Sequence, residues 1–252
     1  MSLRVIAVFK LILWSGLVFS DGRVTNSGVE TINSSEIKII ALLAKRKDIS
    51  RADFKDHYEN NHVPLASGVF EGWPGYIRNH IDAVFPAQEL DFDVLTMFWY
   101  RDVEQLQSTV ALLSGDPGEI VRADERRFMS KATNRYYQVI EQSESKHFTA
   151  KRPWKTGSDK NIGNTLKIIA LAPSQDAADW QHLLARFDQS KPEGLITWVN
   201  NHIIDNPEHE FEEITEIWFS QHEHALRAVN DWLQRIPGMT YLSVSTFESS
   251  VL

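Results

Sequence analysis

The chain has 252 residues, enough for one large domain or two small ones. Its 34 acidic residues outnumber 26 basic ones and leave a formal charge of −8, which argues against nucleic acid as the main partner and favours a soluble protein handling a small molecule. There is no cysteine, so disulfides, thiolate nucleophiles and cysteine-bound zinc are excluded, and the redox compartment is left open.

Residues 1–35 read as an N-terminal extension. Arg4 and Lys10 precede an apolar run, Leu11–Phe19, that is too short to span a bilayer. Val18 and Ser20 suit the −3 and −1 positions of a signal-peptidase site, so residues 1–20 are read either as a signal peptide or as an element packed on the domain. The expected location is cytoplasmic, or secreted if residues 1–20 are removed. Asn33-Ser34-Ser35 would accept a glycan only in a secreted eukaryotic protein. Residues 21–35, rich in Ser, Asn, Gly and Thr, read as a linker.

From residue 36 the elements come in a regular order. Residues 37–44 form an apolar, β-branched strand. Ser50 caps a helix, with Asp53 three residues on. Phe54, Tyr58 and His62 then fall at i, i+4 and i+8 on one helical face. Pro64 is expected to push Val63 out of helical geometry and leave His62 at the helix end. Strands are predicted over 75–82 and 92–100, helices over 102–113 and 117–130 around the break Gly115-Asp116-Pro117, and a strand over 134–142. After a polar linker, 144–164, the course repeats: strand 166–171, helix 174–189, strands 195–203 and 211–219, helix 221–235 and strand 239–247.

The repetition is also visible residue by residue. Lys38-Ile39-Ile40-Ala41-Leu42 returns as Lys167-Ile168-Ile169-Ala170-Leu171, Tyr76–Ile81 as Trp198–Ile203, and Phe92–Tyr100 as Phe211–Phe219. Three matches in the same order imply two copies of one unit. Each copy reads βαββαβ, the ferredoxin-like split βαβ arrangement, with a bare sheet face that the other copy can cover. The expected fold class is therefore α+β: two ferredoxin-like repeats, residues 36–143 and 165–252, packing sheet to sheet as an α+β barrel.

The stretch Phe54-x3-Tyr58-x3-His62-x-Pro64-Leu65, with Tyr76-x2-Asn79-His80, Phe92-Asp93 leading into Trp99, and Asp124-Glu125-x2-Phe128, resembles the EthD family of the dimeric α+β barrel superfamily. The second copy looks like a diverged second half, which makes the chain resemble a fused pseudo-dimer, alone or paired again as a homodimer. The resemblance implies a hydrophobic small-molecule site between sheet and helices, working without cofactor or metal. It implies Tyr58, His62 and His80 as catalytic polar groups, with Phe54, Pro64, Leu65, Trp99 and Asp124 around the substrate. Around its first helix the second copy keeps no Tyr-x3-His-x-Pro-Leu, so one competent pocket is expected, in copy one.

Read from the residues alone, His62 suits general acid–base work because an imidazole titrates near neutral pH, and an apolar pocket keeps it neutral. Tyr58 could donate to an enolate or carbonyl oxygen. Against this, His62 could cap the helix and Tyr58 could pack in the core. His80 has a counterpart, His202, in the degenerate copy, so a structural role suits it as well as a catalytic one. Arg78 shares its face and suggests partial exposure. His222-Glu223-His224 is poor metal geometry on a helix and marks a solvated helix start. Asp124-Glu125-Arg126-Arg127 reads as an exposed face with local ion pairs, from which Asp124 reaches the pocket only if its helix roofs it. The expected reaction is cofactor-free proton transfer on an enolisable aromatic or polyketide-like compound, ending in decarboxylation, dehydration or cyclisation. The alternative is a non-catalytic binding or accessory protein for an oxygenase.

Overall fold

The computed structural model describes residues 36–69, 72–142, 166–187, 189–204 and 210–249. The readings made for residues 1–35 and the linker at 144–164 lie outside them. In the first repeat β1 (Ile37–Lys45) leads to α1 (Arg51–His57), a π-helical turn (Tyr58–His62) and α2 (Val63–Ser67). Then come β2 (Gly75–Phe85), β3 (Val94–Tyr100), α3 (Val103–Ser114), α4 (Glu119–Phe128) and β4 (Met129–Gln142). The second repeat has β5 (Leu166–Ala172), α5 (Ser174–Leu184), β6 (Leu195–Ile203), β7 (Glu213–Phe219), α6 (His222–Arg235) and β8 (Thr240–Ser249).

The class is α+β, with an antiparallel sheet that closes as a barrel in the strand order β1-β3-β2-β8-β5-β7-β6-β4. Read around the closure, β4-β1-β3-β2 and β8-β5-β7-β6 each have the order of a split βαβ unit. The register carries the repeat at single-residue level. Lys38 pairs with Trp99 and Ala41 with Thr96, as Lys167 pairs with Trp218 and Ala170 with Thr215. Each lysine lays its ammonium over its tryptophan, at 4.6 and 4.8 Å from the ring centroid.

By contacts the chain forms two compact units. One runs up to Arg78, takes in Asp91–Gln138 and resumes at Phe247; the other comprises Asn79–Leu90 and Val139–Thr246. The first unit is centred on Ala41, Leu43, Phe54, Tyr58, Tyr76 and Phe128. The second is centred on Trp180, Trp232, Tyr241 and the apolar residues of β5 and β7 around them.

Local signals account for most boundaries. The Ser50 hydroxyl accepts from Asp53 N–H at 3.0 Å and donates to its carboxylate at 2.7 Å. Asp102 caps α3 by accepting from Gln105 N–H at 2.8 Å. The break before α4 needs Gly118, where a Cβ would lie 2.6 Å from Leu112 O. Two elements depart from expectation. β4 begins at Met129, straight off α4, because Met129 is already extended. Helix α5 stops at Leu184 rather than near Gln189, since the N–H groups of Arg186 and Phe187 bond three residues back and turn Phe187 into the core.

Candidate active site

Pro64 does not end the helix. The N–H of Val63 bonds to Tyr58 O, five residues back, and Val63 stays helical at φ −60°, ψ −48°. The proline then falls in the first turn of α2, where its missing donor leaves no bond unmade. The chain therefore passes the proline through one widened turn, and His62 sits inside a continuous helical path. The extra residue in that turn has a second effect. In a regular α-helix residues five apart point to different sides, whereas the widened turn swings His57 and His62 to the same carboxylate.

That carboxylate belongs to Asp124 on α4. Its Oδ1 lies 2.9 Å from His57 Nε2 and its Oδ2 lies 3.0 Å from His62 Nδ1. Asp124 is buried, which corrects its reading as part of an exposed charged face: both oxygens are taken up by imidazoles. Its neighbours do make local ion pairs, Glu125 with Lys131 and Arg126 with Glu119, and Arg127 is exposed. Phe128 closes the arrangement, with ring centroids 4.6 Å from His57 and 5.1 Å from His62. His57 was not singled out in the sequence.

His62 is 4% exposed. Burial pushes its pKa below the ordinary value, against the opposing pull of Glu125 and Asp124. The ring is therefore neutral at neutral pH. Since a carboxylate only accepts, Nδ1 carries the proton and donates to Asp124. Among the described residues nothing else hydrogen-bonds to His62, so Nε2 keeps a lone pair.

Tyr58 lies beside His62, with ring centroids 5.3 Å apart. Its hydroxyl lies 3.0 Å from Thr96 Oγ1 and accepts from Tyr76 OH at 3.4 Å. Burial pushes the Tyr58 pKa up to about 12, so it stays a neutral phenol. The second repeat makes the same helix-to-sheet contact with a group that cannot titrate: Trp180 Nε1 donates to Thr215 Oγ1 at 2.8 Å. Arg78 is not partly exposed. It is buried because Glu59 takes its guanidinium at 2.6 Å, while Ser249 accepts a second bond at 2.8 Å.

An open groove of about 610 Å³ runs over this region, lined by Asn60, Asn61, Pro64, Leu65, Ile120 and Asp124, among others. The structure thus brings Tyr58, His62 and Asp124 together, and sets Pro64 and Leu65 on the groove. Phe54 is core, packed on Tyr58 and Phe128. Trp99 points to the opposite face of β3 from Thr96, covering Gly75, where a Cβ would lie 2.8 Å from its ring. His80 is buried on the stretch of β2 that belongs to the other unit. Among the described residues no helix is long and apolar enough to cross a membrane.

Helices combined with a closed antiparallel barrel of this strand order define the dimeric α+β barrel class, carried here as a tandem repeat. Residues 46–132 match the family model of the EthD domain. No curated protein matches the chain. Among solved structures, an anthrone oxidase-like protein is 10% identical with a TM-score of 0.52, over 87% of this chain and 96% of its own. A candidate monooxygenase of Fusobacterium nucleatum subsp. nucleatum is 8% identical with a TM-score of 0.52, over 88% and 98%. An ethyl tert-butyl ether degradation (EthD) family protein of Bacillus halodurans is 26% identical over 40% of this chain and 95% of its own, with a TM-score of 0.30.

Proposed function

We propose that the first unit catalyses cofactor-free proton transfer on an enolisable, aromatic or polyketide-like small molecule bound over the groove. The observation that carries this reading is the Asp124 carboxylate shared by His57 and His62 at a widened helical turn, a feature frequent at functional sites. His62 Nε2 takes the proton α to a carbonyl. The C–H electron pair moves to the carbonyl oxygen as an enolate, and the new imidazolium is held by Asp124. The proton then goes to a departing β-hydroxyl, which leaves as water in a dehydration, or to the oxygen of a second carbonyl that the enolate carbon attacks in a ring closure. In a decarboxylation His62 takes the carboxyl proton instead, the C–CO₂ electron pair becomes the enolate, and the proton returns to its carbon. Tyr58 positions His62 through ring contact and, released from Thr96, donates to the enolate oxygen. His57 fixes the carboxylate. His80, which belongs to the other unit, and Trp99, on the opposite face of β3, take no part in this step.

One observation favours a second reading, a binding or accessory protein in which His62 only orients the ligand. The groove touches Asp124 but not the imidazole, which is almost fully covered. A thermal-shift screen of the full chain against phenolic acids, β-keto acids and anthraquinone-like compounds, with mass spectrometry of each mixture, separates the two. Catalysis predicts a stabilising ligand that loses CO₂ or water, with the rate falling about 10²- to 10⁴-fold in His62→Ala. A stabilising ligand left intact, bound equally by the variant, makes this a binding protein.

A further inference from the structure

We propose that the second unit holds a divalent first-row transition-metal ion through His202, Glu212 and Glu213. The site lies on residues remote in sequence from the histidine pair, and it departs from the metal-free expectation drawn from the family resemblance. It stands whether or not the proton-transfer reading does.

His202 on β6 and Glu213 on β7 are cross-strand partners in the sheet register. Glu212 precedes β7 and is fixed by two backbone bonds: its N–H donates to Ala172 O, and its carbonyl accepts from Ile203 N–H. One ligand atom from each of the three side chains lies within 4.8 Å of the other two. His202 Nδ1 and Glu213 Oε1 are 3.0 Å apart. That is the separation of two adjacent ligands on an octahedral ion with bonds of about 2.1 Å.

Charge gives the second argument. Glu213 is 0% exposed, and a buried carboxylate is costly without a cation. The other buried or nearly buried glutamates have one: Lys167 holds Glu216 at 2.6 Å and Arg78 holds Glu59 at 2.6 Å. Among the described residues Glu213 has no lysine or arginine. It accepts from the neutral amides of Gln181 and Asn200, the latter at 2.7 Å, and from His202. Glu212 brings a second carboxylate that, among the described residues, makes no side-chain hydrogen bond or ion pair. Two carboxylates converging on one imidazole are balanced by a dication.

The surroundings suit a ligand set held in place from behind. Thr215 donates to Asn200 Oδ1 at 2.5 Å, and Trp180 Nε1 donates to Thr215, so the amide that orients Glu213 is itself oriented. The His202 side chain is 33% exposed, which leaves an entry side and room for water ligands. One imidazole with two carboxylates selects manganese, iron, cobalt, nickel or zinc over calcium or magnesium.

The test uses the full chain, stripped with a chelator and desalted, then titrated separately with Co²⁺ and Zn²⁺. Binding is followed by calorimetry, metal content and the visible spectrum of the cobalt form. Expected are one ion per chain and a cobalt spectrum in the wild type, both lost in His202→Ala and Glu212→Gln. Gln181→Ala should bind about 10- to 100-fold more weakly. His224→Ala, which alters the other histidine cluster, should bind as wild type. No stoichiometric binding by the wild type overturns the proposal. So does binding that persists in His202→Ala, or that His224→Ala abolishes.

Discussion

At the scale of single residues, Asp124 holds two imidazoles and one of them is almost fully buried. The stability of the chain should report this. Burial lowers the His62 pKa below its ordinary value of about 6.5, so the folded ring binds fewer protons than the unfolded one. The stabilisation is complete above about pH 6.5 and is lost as pH falls below it, levelling once the folded ring titrates. The melting temperature of the wild type should drop between about pH 7 and pH 5. His62→Gln, which can still donate to Asp124 but cannot titrate, should show a shallower drop. Equal slopes would mean that His62 is not buried in its neutral form. The juxtaposition of Tyr58 and His62 was legible because helical spacing already groups them, whereas the burial of Asp124 was not, since the charged run around it reads as an exposed face. His57 was not legible. Residues 57 and 62 lie on different faces of an α-helix, and only the widened turn unites them.

At the scale of elements, the widened turn is where reading and structure part. Pro64 is a helix breaker by the usual rule, yet here the helix absorbs it by lengthening one hydrogen-bonded ring. Nothing local in Tyr58–His62 signals this; the packing of Tyr58, Val63 and Phe128 in one core rewards it. The turn is tied to the sheet through the Tyr58–Thr96 bond, between two buried groups. Tyr58→Phe should therefore cost about 1–3 kcal/mol in urea unfolding, because Thr96 and Tyr76 lose a buried partner. Adding Thr96→Val should recover part of that loss, giving a non-zero coupling in the double-mutant cycle. A cost within about 0.5 kcal/mol would show that the bond does not anchor the turn. Other elements were legible to within a residue or two where caps and Gly-Pro breaks mark them, as at Ser50 and Gly115-Asp116-Pro117.

At the scale of the whole molecule, three short sequence matches foretold the repeat. The register shows why two of them survive: the first and third matches are paired strands, and together they pin a lysine over a tryptophan and a threonine under a helix in each repeat. What diverged are the groups between helix and sheet. Tyr58, Glu59 and Arg78 in one repeat answer to Trp180, Gln181 and Asn200 in the other, which is why a motif search reads the second repeat as empty. Its His202–Glu213 pair was invisible because Glu213 has no acidic counterpart in the first repeat: Val94 stands there. The function proposed for the first repeat rests on a neutral, proton-ready imidazole held on Asp124. The most direct measurement is a ¹⁵N NMR titration of the full chain's histidines, with His62 assigned by substitution. His62 should carry its proton on Nδ1 and titrate below the ordinary value of about 6.5, and Asp124→Asn should remove this tautomer preference. A His62 that titrates at or above the ordinary value, or is unchanged in Asp124→Asn, would contradict that reading.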